Sequence, residues 1–332
     1  MKVLYIGGTG EISYECVLAG AAAGQEITVY NRGVNDEPLP KSVRRITGDL
    51  NDQVAYERLG REHFDVVCQF LAYDVARIER DKQVFAGKVG QYVFISSASA
   101  YQKPPEHYVI TEDTPLENPY WPYSRAKAAM EQRLMEWHAA GQLPVTIVRP
   151  SHTYRRKFPS TFHGGDDLAW RILAGRPIIS HGDGSSLWVL THSSDFAVPF
   201  VGLLGNPRAI GQAFHITADR AYAWDRILRA VGAALGAEPK LVHVPTETLL
   251  RYNDAWAGPL LGDKTWSVIF DNSKVKSVAG DFLCKIDMPC GMEMVAEHWR
   301  KRAGRFRPDE NRNTLLDRIA EEQLALGKQR QV

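Results

Sequence analysis

Val3-Leu4-Tyr5-Ile6-Gly7-Gly8-Thr9-Gly10 is an apolar run that breaks abruptly into glycines. With no polar alternation, the run predicts a short strand buried on both faces, as in a parallel sheet covered by helices. A helical pattern follows over residues 12–23, and Glu26-Ile27-Thr28-Val29-Tyr30 predicts a second strand. Strand, glycine turn, helix and strand make a βαβ unit. Its turn sets the free N–H groups of a helix N-terminus beside a strand end, where they attract a pyrophosphate. The spacing is Gly7-x-x-Gly10-x-x-Ser13. Serine in the third position departs from the commonest fingerprint, but it is small enough for close helix–strand packing.

Working outward, the end of the second strand bears on cofactor choice. A carboxylate there would accept hydrogen bonds from an adenosine ribose. The chain has Asn31-Arg32-Gly33 instead. A guanidinium suits a 2′-phosphate, so NADP(H) is favoured with NAD(H) as the alternative, unless Arg32 is only a solvated loop residue. Arg44-Arg45-Ile46-Thr47-Gly48-Asp49-Leu50 predicts a third strand and a turn. Asp49 there is placed either to cap a helix over residues 51–61 or to face an adenine amino group. Further strands are expected over residues 65–71, 91–96 and 144–149, with helices between them. This alternation predicts an α/β fold, a parallel sheet covered by helices on both faces.

Past residue 155 the rhythm loosens. Strands are expected at 187–192, 214–216 and 241–244, helices at 195–204 and from 224 onward, and an outer mixed-charge helix over 313–326. Residues 1–154 are therefore expected to bind the dinucleotide, with a returning segment near 187–217. Residues 155–332 are expected to form mainly a smaller, interleaved C-terminal α/β substrate-binding lobe with terminal helices.

The chemistry-bearing spacing is Tyr123-Ser124-Arg125-Ala126-Lys127 at the head of a helix-forming run. Four residues apart on a helix, the phenol and the ammonium share one face. A phenol normally loses its proton near pH ~10, and a neighbouring cation favours the phenolate, so the pair suits proton transfer at neutral pH. Small hydroxyls in Ser96-Ser97-Ala98-Ser99 follow the fifth strand, where such folds place their ligands.

Composition narrows the options. With 332 residues, 44% hydrophobic and 24% charged, the chain can bury a full core. A formal net charge of +1 offers no support for polyanion binding, so no nucleic-acid partner is expected. No apolar run approaches the ~20 residues of a membrane span. The chain opens directly on its first strand without a charged leader, so a cytoplasmic location is expected. Cys16, Cys68, Cys284 and Cys290 lack metal-ligand spacing and are expected to be buried thiols; no metal is expected.

Together these pieces resemble the extended short-chain dehydrogenase/reductases, the NAD(P)-dependent epimerase/dehydratase family. The matching segments are Gly7-Gly8-Thr9-Gly10, Gly48-Asp49-Leu50, Phe94 to Tyr101, Tyr123 to Lys127, Arg149-Pro150, and Gly182-Asp183-Gly184 with Asp195-Phe196-Ala197. They span residues 1 to about 215, and the glycine turn looks like that of an atypical branch. The resemblance implies a Rossmann-type doubly wound parallel sheet and a catalytic set of Ser97, Tyr123 and Lys127. Tyr123 would exchange a proton with a substrate hydroxyl or carbonyl, while Lys127 would hold the nicotinamide ribose and lower the Tyr123 pKa. Gly7, Thr9, Gly10, Glu11, Ile12, Asn31, Arg32, Asp49, Leu50 and Leu71, with Tyr123 and Lys127, would contact the cofactor.

Ser99, Trp121, His152, Arg155 and Trp188 are the candidate substrate contacts. Nucleotide-sugar members commonly carry an arginine where this chain has Trp188, and tryptophan cannot make a charge-assisted pair with a diphosphate. Arg155, Arg156 and Lys157 are the candidate replacements. The expected activity is a Tyr-mediated epimerase/dehydratase-type oxidoreduction on a nucleotide-activated sugar or related hydroxy/keto substrate. An NADPH-dependent carbonyl reductase and a non-catalytic nucleotide- or RNA-binding relative are the alternatives. A homodimer through helix pairing is implied by the family.

Overall fold

Short apolar runs separated by helical patterns can satisfy their backbone groups only by pairing with one another under helical cover. A computed structural model describes residues 1–35 and 37–329, so the last residues of the expected C-terminal lobe, 330–332, lie outside the described residues. Seven strands form the main sheet: β1 (Lys2–Ile6), β2 (Glu26–Asn31), β3 (Arg44–Thr47), β4 (Val66–Gln69), β5 (Gln91–Ile95), β6 (Val145–Pro150) and β7 (Gln212–Ile216). All pair in parallel, in the order β7-β6-β5-β4-β1-β2-β3. The order reverses at β1, which pairs with β2 on one side and β4 on the other. Ligand crevices of doubly wound folds open at such a point.

The period of two sorts β1 between two cores. Val3 and Tyr5 join Val17, Val29, Phe196 and Phe200 on one face, under α1 (Ser13–Ala22) and the helix Ser193–Leu203. Leu4 and Ile6 join Ile78, Phe94, Met130 and Trp137 on the other, under α2 (Val75–Phe85) and α3 (Pro122–Ala139).

One carboxylate lies inside that second core. Asp81 is fully buried and accepts from the hydroxyls of Tyr56 and Tyr92, each at 2.5 Å, and from Nε2 of Gln69 at 2.7 Å. Burial raises its pKa and the three donors oppose that rise. The carbonyl of Gln69 in turn accepts the Leu71 N–H at 2.7 Å, fixing the chain just past β4. Asp81→Leu strands these donors and is expected to cost about 2–4 kcal/mol in a urea titration, with Asp81→Asn costing less because an acceptor remains.

Beyond β6 the chain leaves the main sheet. His152–Tyr154 pairs in parallel with Leu187–His192, which pairs antiparallel with Ala221–Ala223. Pro177–His181 pairs in parallel with Lys240–Val244. Of the expected returning segment near 187–217, only β7 rejoins the main sheet. The strand at 187–192 is excluded because β7 already fills the place beside β6.

The helix expected over 51–61 is also different. It runs from Gln53 to Glu57, continues as a tighter turn, and is capped by Asp52, whose carboxylate accepts the Ala55 N–H at 3.0 Å. Asp49 instead accepts the Asn51 N–H at 2.7 Å. The outer helix Glu310–Gln329 buries Leu316, Ile319 and Ala320 against Val242 and Val244. Cys16 and Cys68 are buried as expected, Cys284 is half-buried and Cys290 is exposed at the start of the helix Met288–Arg302. Among the described residues, no helix is long and apolar enough to cross a membrane.

Candidate functional site

Two cavities lie at the carboxyl ends of the parallel strands. The first, about 510 Å³, forms where the chain passes from β1 into its glycine turn. Gly7 and Gly8 have φ of 118° and 86°. A Cβ on Gly8 would stand 2.7 Å from both γ-carbons of Val29, so only glycine lets the turn pack this close to β2. Gly7, Thr9 and Gly10 line the cavity on this side, and Asn31, Arg32, Asp49, Leu50 and Leu71 line it from the ends of β2, β3 and β4.

Asn31 ties the β2 end to the turn, its amide reaching Thr9 Oγ1 at 3.3 Å and its carbonyl accepting the Gly33 N–H at 3.0 Å. Ser13 accepts the Gly10 N–H at 3.0 Å, so this serine organises the turn as well as packing the helix. Arg32 is exposed at the rim. Tyr73 and Arg77 also line the cavity, and Arg77 donates to the Leu50 carbonyl at 2.6 Å. Neither belongs to a motif, and only the fold brings them here. A backbone cradle closed to Cβ atoms, a rim guanidinium and the open carboxylate face of Asp49 fit a dinucleotide.

Two expected cofactor contacts face elsewhere. Glu11 Oε1 accepts three successive backbone N–H groups, from Arg155 at 2.9 Å, Arg156 at 2.6 Å and Lys157 at 3.2 Å. Ile12 packs into the apolar cluster beneath the sheet. Their side chains are spent on joining and packing the fold. Arg155, an expected substrate contact, is likewise turned to partners within the fold. It pairs with Glu37 at 3.0 Å and lies 4.3 Å over the Tyr14 ring, and Arg156 pairs with the same carboxylate. Two of the three basic residues expected to replace an arginine at the substrate, Arg155 and Arg156, are thus engaged by Glu37.

The second cavity, about 390 Å³, gathers Ser97, Ser99, Trp121, Tyr123 and His152. Pro122 starts α3, which sets Tyr123 in the first turn and Lys127 one turn on. Ser124 donates to Ser99 Oγ at 2.8 Å and Ser99 meets Ser97 Oγ at 2.9 Å, which aligns the hydroxyls. Burial pushes the Tyr123 phenol up to about 12, opposed by a hydrogen bond with Ser97. The phenol is therefore protonated at neutral pH.

Lys127 is almost fully buried, and its ammonium donates to the carbonyls of Ala72 and Ile95, each at 2.8 Å. Burial brings it down to about 8, against the pull of Glu131. It stands 5.8 Å from the Tyr123 ring and 5.2 Å from the Tyr73 ring of the first cavity, so it bridges the two. The expected lowering of the phenol by Lys127 does not appear. The ammonium is turned to two carbonyls, and the charges felt at Tyr123 are those of Tyr73 and Asp263.

Asp263 and Lys264 complete the cavity, paired at 3.0 Å. They arrive because Asn118 clamps the Gly262 carbonyl at 2.6 Å and the Ser99 carbonyl at 2.7 Å with one amide. No periodicity or motif marks residues 262–264, so their sequence carried no signal. Trp188 is buried behind His152, not in the cavity wall, and donates its indole N–H to His152 Nδ1 at 3.1 Å.

Comparison with known proteins agrees with this geometry. Residues 82–217 match the NAD dependent epimerase/dehydratase family. The chain is 29% identical over 281 residues to 2′-dehydrokanamycin reductase of Streptomyces kanamyceticus, covering 82% of this chain and 77% of the reductase. It is 27% identical over 259 residues to a chloroplast stem-loop binding protein of Arabidopsis thaliana, covering 73% of this chain and 65% of that one. Its fold matches UDP-glucose 4-epimerase of Thermotoga maritima with a TM-score of 0.72 at 20% identity, over 91% of this chain and all of that one. Over residues 82–217 the chain is thus similar to the NAD dependent epimerase/dehydratase family, and with the reductase as a relative over most of its length this indicates an NAD(P)-dependent enzyme.

Proposed function

We propose that the protein moves a hydride to or from an oxygen-bearing carbon of a sugar-like hydroxy/keto substrate, with Tyr123 exchanging the proton on that oxygen. The observation that carries this reading is the convergence of Ser97, Tyr123 and Lys127 at strand ends beside a glycine-lined cavity. When bound, the nicotinamide supplies or accepts the hydride. The glycine turn holds the phosphates, Asp49 accepts from the adenine amino group, and Lys127 holds the nicotinamide ribose. Ser97 donates to the reacting oxygen and Tyr123 delivers the proton. Residues 1–154 with β7 then serve the cofactor, and the later chain mainly shapes the substrate side.

A phenol held in its acid form is ready to protonate a developing alkoxide, so the reductive direction fits best. The lack of an arginine at Trp188 and the engagement of Arg155 and Arg156 by Glu37 agree with a ketone that lacks a nucleotide. Lys264 in the same cavity favours a second reading, epimerisation of a nucleotide-activated sugar. NADPH with 2′-dehydrokanamycin, and separately UDP-glucose with bound cofactor, separate the two. Stoichiometric NADPH oxidation supports reduction, and interconversion of the sugar without net cofactor change supports epimerisation. A protein that binds NADPH but turns over neither, nor any keto sugar in a panel, overturns the catalytic reading.

NADP(H) is the proposed cofactor because Arg32 stands at the rim beside the β2 end. Arg32→Ala is expected to weaken NADPH by about tenfold and NADH by less than about twofold in fluorescence titrations. Equal losses would remove Arg32 from the 2′-phosphate.

A further inference from the structure

We infer that Trp188 is a positioning residue that locks His152 as an Nε2–H donor, and that this donor selects an oxygen acceptor on the substrate held beside Tyr123. The inference rests on the proposed function in that it takes the second cavity to be the substrate site. An indole nitrogen can only donate, so the 3.1 Å contact from Trp188 Nε1 requires a lone pair on His152 Nδ1. A neutral imidazole that accepts at Nδ1 carries its proton on Nε2.

The ring stays neutral, because burial and the neighbouring Lys264 ammonium bring it down to about 3. It is also held in place. The Trp224 ring lies 6.2 Å from the His152 ring and 5.9 Å from that of Trp188, and Trp224 is fully buried. Both ring nitrogens of His163 and Nε2 of His192 are sealed without partners, but Nε2 of His152 is not enclosed, and the residue lines the cavity with Tyr123 and Ser97.

The groups facing this ring set the selectivity. Lys264 stands 5.4 Å over the Trp188 ring, with Asp263 committed to it at 3.0 Å. A donor that cannot accept favours a hydroxyl or carbonyl oxygen over a protonated amine, which has no lone pair to offer it. His152 is therefore a fixed neutral donor rather than a second acid/base, and the buried tryptophan determines which of its nitrogens faces the substrate.

The test uses the full chain, labelled with 15N-histidine and bound to NADPH, followed by long-range 1H–15N NMR from pH 5 to 8. The expected wild-type spectrum shows an unprotonated Nδ1 and a protonated Nε2 for His152, unchanged with pH. Trp188→Phe keeps the ring stack but loses the donor, and the tautomers should mix. A wild-type His152 that is protonated at Nδ1, or that titrates within this window, overturns the inference.

With 2′-dehydrokanamycin and NADPH, His152→Leu should raise KM about tenfold with a smaller change in kcat, and His152→Gln, which restores a donor, should recover most of that loss. An unchanged KM in the leucine variant overturns the role of the donor. If the wild-type protein turns over neither this ketone nor UDP-glucose while the locked tautomer is seen, the proposed substrate class fails and the positioning by Trp188 stands.

Discussion

Tyr123→Phe is expected to lower turnover by about three to four orders of magnitude while leaving NADPH affinity within about twofold. The substitution removes one oxygen and keeps the ring that packs 5.1 Å from Trp121. The first cavity does not include Tyr123 among its walls, so the dinucleotide should bind as before. The lost oxygen is the protonated group beside Ser97, pushed up to about 12 by burial. With it goes the source of the proton that a developing alkoxide needs. Ser97 cannot replace it, because an aliphatic hydroxyl is a far weaker acid than a phenol. Stopped-flow NADPH oxidation and fluorescence titration check the two halves of the expectation. Unchanged turnover would remove Tyr123 from the chemistry. It would also bring forward the non-catalytic nucleotide- or RNA-binding reading.

Glu131→Ala is expected to cost about 3–5 kcal/mol of stability in a urea titration. Tyr123, Lys127 and Glu131 follow one another at successive i, i+4 steps on α3, so one helix face carries the proton donor, the buried ammonium and its nearest carboxylate. Glu131 is 2% exposed and takes the guanidinium of Arg149 in a bidentate pair, with Nη2–Oε2 at 2.6 Å and Nε–Oε1 at 3.1 Å. Burial opposes that charge, yet Glu131 holds Arg149 further above its usual range.

Arg149 Nη1 then donates to the Tyr101 hydroxyl at 3.0 Å, which meets His215 Nδ1 at 3.0 Å. Removing the carboxylate leaves a buried guanidinium with neutral partners only, the costly way to break such a pair. The double change Glu131→Leu with Arg149→Met removes both charges and should recover most of the loss. The site should respond as well. Glu131 is the group that pulls the Lys127 pKa upward, so its loss lowers that pKa further. A stability change under about 1 kcal/mol would show that the pair is not the strut between α3 and β6 that its geometry describes.

Sequence alone was enough for whatever depends on local period and spacing. The apolar run Val3 to Ile6, the glycines after it and the helix beyond determined the βαβ unit, since each is set by backbone conformation within a few residues. Tyr123 and Lys127 were legible for the same reason, because a helix places residues four apart on one face whatever surrounds it. Arg32, Asp49 and Leu71 were legible as the ends of successive parallel strands.

Tertiary structure alone decided what depends on partners far along the chain. Glu11 became an acceptor for residues 144 to 146 positions away, and Arg155 was drawn to Glu37 across 118 positions, so both side chains act as struts. Asp263 and Lys264 entered the cavity through an Asn118 clamp that spans 144 positions. Trp188 moved behind His152, where its indole N–H sets a tautomer that sequence cannot express. A charged or donor side chain takes the partner that best repays its desolvation, and the fold decides which partners are within reach.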